Sequence, residues 1–312
     1  MPVRAGDGSV GDGRVRERSA AAPRAEALRA DALLRWYARS ARDLPWRRTR
    51  DPYALLVSEV MLQQTQAARV VPRYERFLAR FPDVGALAAA PVRDVLEEWS
   101  GLGYNRRALA LRGAAREVAA RGWPADLTTL PGVGGYTAAA VASFAWGVQR
   151  AAVDVNVRRV IERWDGRRRG GRDLAARAGA LVPAGRAATW NQAMMELGAR
   201  LCGARRADCG ACPVSAWCAS AGTAAAPSRP GGGRPVKPRF EDTDRWARGR
   251  VVAALLAGTP LPALEPGEHP LVTDRLERGQ RGAGEQRGHD ATARPAVRVL
   301  EARLHRPAAA RA

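Results

Sequence analysis

The sequence lacks any apolar run approaching the roughly 20 residues that a membrane span needs, and no hydrophobic segment of a secretion signal opens it. A cytoplasmic protein with no membrane partner is therefore expected. No region between about residue 25 and the last cysteine alternates apolar and polar residues as strands do, so an all-α fold is expected. Lysine is almost missing. The 51 basic residues are nearly all arginine, and against 31 acids they give a net charge of +20 and a pI near 11.4. Such a balance favours a polyanionic partner, although a chain this rich in Arg and Ala has arginine everywhere, so the charge permits that partner without proving it. Cysteine is absent except at Cys202, Cys209, Cys212 and Cys218.

At 312 residues the chain can bury an ample core. Residues 1–24 hold almost no large apolar side chain and read as a disordered basic tail. Helical spacing begins at Ala25 and recurs through Leu28, Leu33, Trp36 and Tyr37. The stretch after Asp51-Pro52 reads as one long amphipathic helix, with Leu56, Val60, Ala67 and Val71 on one face and Glu59, Gln63 and Gln66 on another. Further helical patterns follow, punctuated by Pro82, Pro91 and Gly101-Leu102-Gly103. Residues 221–238 read as a linker. The region 239–312 contains one helix-like stretch and no aromatic residue beyond it, so it is not expected to form a complete domain.

Three stretches carry chemistry. Leu130-Pro131-Gly132-Val133-Gly134 is a tight turn running into an Ala-rich helix, an arrangement that presents backbone N–H groups to an anion such as phosphate. Twenty residues past Gly134, Asp154 stands where a new helix is due; spacing alone favours the reading of a plain N-cap. Glu59 lies beside an apolar stripe, where burial raises a carboxyl pKa and suits it to general acid work, though most helical glutamates are simply solvated. The cysteines, spaced C-x6-C-x2-C-x5-C, point to a site of four thiolates; chemistry alone allows zinc or an iron–sulfur cluster.

Residues 36–218 resemble the helix-hairpin-helix, iron–sulfur DNA glycosylases, and the string Ser58-Glu59-Val60-Met61-Leu62-Gln63-Gln64-Thr65-Gln66 resembles the signature of the adenine DNA glycosylases, the MutY family. The resemblance implies a six-helix barrel (51–154) and an iron–sulfur cluster domain (25–50 and 155–220), with the catalytic cleft between them. It implies catalytic roles for Glu59 and Asp154, supported by Tyr136 and Asn156. It implies an adenine pocket of Arg42, Trp46, Leu62 and Gln192. DNA contacts are implied at Gln63, Gln64, Tyr104, Gly132 and Gly134, and a [4Fe-4S] cluster on the four cysteines, acting as a clasp; a loop folded over such a cluster would hold Arg205 and Arg206 rigidly enough to meet phosphates.

The same resemblance implies a monofunctional enzyme acting as a monomer on double-stranded DNA, excising adenine opposite 8-oxoguanine or guanine. Related enzymes that cut the strand carry lysine where this chain has Tyr136, and a phenol cannot form a Schiff base. Two departures stand out. The family's second tyrosine after Tyr104 is replaced by Asn105, and the Phe-Ser-His-type loop of a C-terminal Nudix-like domain is not found. Two alternatives remain: a glycosylase for thymine opposite guanine, and a non-catalytic mismatch-binding iron–sulfur protein.

Overall fold

The computed structural model describes residues 11–223 and 244–259. The chain divides into two compact units, 1–233 and 234–312. Among the described residues of the second unit is the helix Asp244–Ala257; most of the region expected to lack a complete domain lies outside the described residues.

The first unit is helical, with no strand among its described residues beyond an isolated antiparallel bridge between Cys202 and Ala207. Its helices are α1 (Gly11–Ser40), α2 (Pro52–Leu62), α3 (Ala67–Arg80), α4 (Val84–Ala89), α5 (Val92–Glu98), α6 (Arg106–Arg121), α7 (Gly135–Trp146), α8 (Val155–Trp164), α9 (Gly171–Ala180) and α10 (Ala187–Arg200). Helix α1 begins at Gly11 and so overrides the expected tail over residues 11–24, where Ala20-Ala21-Ala22 favours helix.

Two cores organise these helices. One gathers Tyr53, Met61, Phe77, Trp99, Leu111 and Val141 from α2 to α7. The other gathers Leu33, Ile161, Trp164, Trp190 and Met194 from α1 and α8 to α10, with the cysteine loop packed on it. Leu44 and Trp46 pack into the first core, although the boundary at residue 50 had placed them with the second. Between the two lies a small cluster of Leu55, Ala139, Ala140, Phe144 and Ala152, where α7 meets both α2 and α10.

Helix α2 corrects the sequence reading twice. Asp51 caps it, accepting from Tyr53 N at 3.1 Å and Ala54 N at 3.2 Å, and Pro52 fills its first turn. It then buries every residue from Tyr53 to Met61, so it is a core helix with no solvated face. It also stops at Leu62. Gln64 takes a left-handed backbone (φ 58°) and α3 starts anew at Ala67, so Glu59, Gln63 and Gln66 do not share a helical face. No Gly or Pro marks that break; it is held by tertiary contacts to the carbonyls at the end of α2.

Candidate active site

A large cleft is lined by Glu59, Tyr136, Asp154, Asn156, Gln192 and Glu196, with Arg42, Trp46 and Leu62 on the same walls and Gln63 and Gln64 at its edge. All four residues expected to be catalytic and all four expected to form a base pocket therefore meet in one place. Tyr104, Gly132, Gly134, Arg205 and Arg206 are not among its lining residues.

Glu59 is buried to 5 % exposure because α2 is buried on all sides. That burial pushes its carboxyl up to about 7; the phenol of Tyr136 beside it opposes the shift, and the negative charge of Asp154 adds to it. A carboxyl raised in this way keeps its proton well above the usual carboxylate range, which suits a general acid. Tyr136, half-buried on the first turns of α7, donates to the Met195 sulfur at 3.5 Å. Burial, followed by the negative charges of Glu59 and Asp154, holds its phenol protonated well above the usual range.

Asp154 is the N-cap of α8, so the plain structural reading holds, but it holds inside the cleft. One carboxylate oxygen accepts from Asn156 N at 2.9 Å and Val157 N at 2.7 Å; the other accepts from Asn156 Nδ2 at 2.7 Å. The capping bonds fix the carboxylate in place at the helix N-terminus, facing the cleft. Asn156 in turn accepts from Arg159 Nη2 at 2.8 Å, and Arg159 also reaches the Cys202 and Gly198 carbonyls, each at 2.8 Å.

The facing wall is built from α10. Gln192 accepts from the Tyr37 hydroxyl at 2.6 Å. Glu196, with 0 % exposure, is gripped by Arg42 (Nε 2.8 Å, Nη2 2.9 Å) and by Arg47 Nη2 at 2.6 Å. Burial alone would raise this carboxyl, but the two guanidinium groups outweigh it and hold the pKa at about 2. Neither Glu196 nor Arg47 was singled out from the sequence. A glutamate inside the buried run Trp190 to Gly198, and an arginine beside Trp46, are the only signals they leave. Gly198 was missed as well: a Cβ there would lie 2.7 Å from Asn156 Cβ, so glycine is what lets α10 touch α8 beneath Asp154.

The two hairpin glycines differ. Gly132 has φ +76° and a Cβ would stand 2.7 Å from Ala110 Cβ, so the turn itself requires it. Gly134 is the N-cap of α7 with an ordinary extended backbone and open space around it. No side chain caps that helix, which leaves its first N–H groups without a side-chain acceptor.

The four cysteines line one cavity and are unpaired with one another as disulfides. Arg163 Nη1 donates to Cys202 Sγ at 3.1 Å. Among the described residues no three His, Cys, Asp or Glu side chains form a group that could hold a single metal ion. Arg205 and Arg206 are exposed on the loop closed by the Cys202–Ala207 bridge. The basic run after Asp154 is largely spent on internal contacts: Arg169 pairs with Asp165 and Asp173, each at 2.7 Å, and Arg163 is buried.

Residues 57–182 match the model of the HhH-GPD superfamily of base excision DNA repair proteins. The chain is 44 % identical over 239 residues to the adenine DNA glycosylase of Mycobacterium tuberculosis (strain ATCC 25618 / H37Rv), covering 72 % of this chain and 77 % of that one. It is 41 % identical over 211 residues to the human adenine DNA glycosylase, covering 60 % of this chain and 38 % of the human protein. Among solved structures it is similar to a thermostable thymine-DNA glycosylase (TM-score 0.59, 31 % identity, 64 % of this chain and 97 % of that one). It also shares its fold with an endonuclease III trapped on DNA (TM-score 0.54, 24 % identity, 61 % and 92 % covered).

Proposed function

The chain belongs to the adenine DNA glycosylase family of the HhH-GPD superfamily, and on that footing we propose that it hydrolyses the N-glycosidic bond of adenine mispaired with 8-oxoguanine or guanine in double-stranded DNA. The observation that carries the reading is the pair of carboxyls in one cleft, Glu59 pushed up to about 7 by burial and Asp154 held as a helix cap.

The steps follow from that division of labour. The adenine leaves the stack and enters the cleft, as a base must to be reached by chemistry. Glu59 donates its proton to the ring, which makes the base a better leaving group. The glycosidic bond breaks with positive charge developing on the sugar, and Asp154 stabilises that charge until water adds. Asn156 orients Asp154 through its 2.7 Å bond. Tyr136 stays protonated between the two carboxyls and offers no amine, so the strand is left uncut. Arg42, Trp46, Leu62 and Gln192 surround the base, and buried Glu196 anchors Arg42 and Arg47 in the wall behind them.

Phosphates meet the open N-terminus of α7 at Gly134, the turn at Gly132, and Arg205 and Arg206 on the cysteine loop. Gln63, Gln64 and Tyr104 contact the opened duplex. Cys202, Cys209, Cys212 and Cys218 line one cavity, and four soft thiolates are a ligand set that suits a [4Fe-4S] cluster. When bound, the cluster supplies a structural clasp on the loop bearing the two arginines. The protein acts as a cytoplasmic monomer on nucleoid DNA, with the barrel built on α2 to α7 together with Leu44 and Trp46, and the cluster domain on α1, α8 to α10 and the cysteine loop.

Single-turnover cleavage of duplexes carrying A opposite 8-oxoguanine, A opposite G, T opposite G and A opposite T tests this. Breaks at adenine that appear only after alkali, fastest opposite 8-oxoguanine, are expected. Breaks at T opposite G would transfer the chain to the pyrimidine branch, and binding without cleavage would leave only mismatch recognition.

A further inference from the structure

Among the described residues only two other than glycine have positive φ, Gln64 (58°) and Tyr104 (51°). They stand 40 positions apart in sequence, and each has been placed against the opened duplex. A left-handed backbone is unfavourable for glutamine and tyrosine, and persists only where the surroundings over-determine it. One side chain does this for both. From the first turn of α6, Arg107 Nη1 donates to Val60 O at 2.9 Å and to Gln63 O, the carbonyls at which α2 breaks off. Its Nη2 donates to Leu102 O and Gly103 O, each at 3.2 Å, in the loop that ends at Tyr104. The guanidinium plane lies 5.3 Å from the Tyr104 ring centre and 5.6 Å from that of Trp99, while Tyr104 itself stays 46 % exposed. Trp99 Nε1 donates to Gly103 O at 3.1 Å and completes the clamp.

We propose that Arg107 is a positioning residue that holds the Gln64 turn and the Tyr104 loop at one fixed separation, so that both enter the base stack together. The inference rests on the glycosylase reading and on the duplex contacts assigned to those two residues. The chemistry is that of a rigid planar fork: five donors in fixed directions reach carbonyls on two loops at once, which the single ammonium of lysine cannot do. Arg107 is not among the residues that line the cleft, so its loss acts on base extrusion and leaves bond breaking unaltered.

The test is single-turnover excision by the full-length, cluster-loaded protein on two duplexes, one with adenine opposite 8-oxoguanine and one with adenine as a single-nucleotide bulge, already unpaired. Arg107→Lys is expected to slow the first by about tenfold or more and the second by less than about twofold, since only the first needs both loops to open a paired base. Equal slowing on both duplexes, or none on either, overturns the proposal. A second measurement leaves Arg107 in place. Gln64→Ala and Tyr104→Ala are each made, then combined; if the loops act as one unit, the double variant is less impaired than the product of the two single losses. Independent, multiplicative losses also overturn it. If the wild-type protein excises adenine from neither duplex, the glycosylase reading fails instead, and the two failures are told apart by that control.

Discussion

The cleft has a buried glutamate on each wall, and the two have their pKa values shifted in opposite directions. Glu59 on α2 sits among apolar side chains with a phenol and a second carboxylate for neighbours, and its pKa rises to about 7. Glu196 on α10 has no exposed surface at all, yet two guanidinium groups bring it down to about 2. Burial is common to both, so burial alone does not set the protonation state. What differs is whether a cation was built beside the carboxyl. The first arrangement suits a proton donor, and the second makes a buried anion that anchors two arginines.

The largest effect expected from breaking this contrast is on chemistry. Glu59→Gln keeps the shape and removes the proton, and should lower single-turnover excision by at least about a thousandfold, ~4 kcal/mol in the barrier. Asp154→Asn should do the same while leaving mismatch binding intact in a gel-shift titration. If either variant kept turnover within tenfold of wild type, the two-carboxyl mechanism would be wrong.

Glu196→Gln breaks the contrast from the other wall. It leaves Arg42 and Arg47 without their shared countercharge, and unfolding by urea should show a loss of about 3 kcal/mol, moderated because Arg42 is partly exposed. A loss below about 1 kcal/mol would mean that solvent already satisfies the arginines.

The two carboxyls also predict opposite pH slopes. A lowered folded-state pKa contributes stability above the ordinary value near 4.5, and that stability is lost as pH falls towards about 2; this is the case of Glu196. A raised pKa has the reverse sign. Glu59 favours the fold while protonated, below about 4.5, and that contribution is lost as pH rises through about 7. Each slope is at most about 1.4 kcal/mol per pH unit. Glu59→Gln should therefore flatten stability between pH 4.5 and 7, and Glu196→Gln should flatten it below 4.5, both read from urea midpoints across pH.

Much of the site is legible in the sequence because local signals and resemblance agree there. The glycine turn, the acid where a helix begins and the four cysteines each leave a mark in the chain, and the structure brings Glu59, Tyr136, Asp154 and Asn156 into one cleft. What escaped is what tertiary contacts decide. The break of α2 at Leu62 has no Gly or Pro to announce it, since its carbonyls are captured by an arginine more than 40 residues away. Glu196 looks like any helical glutamate until Arg42 and Arg47 arrive from the other end of the chain. Asp154 is the N-cap that spacing alone favours, and its place in the cleft is what the sequence does not show.

The smallest expected effect sharpens the contrast most. Of the influences on Glu59, only the Tyr136 phenol pulls its pKa downward, against burial and against Asp154. Tyr136→Phe keeps the ring and deletes that influence, so Glu59 should hold its proton to higher pH. Excision should need Glu59 protonated, and its rate should fall as pH rises through about 7 in the wild type. In Tyr136→Phe the midpoint of that fall should move up by about half a unit, less than 1 kcal/mol. A downward move would mean that the phenol supports the protonated carboxyl. Glu59 would then owe its proton to a specific bond, and desolvation of α2 would cease to explain why one wall of the cleft is acidic and the other anionic.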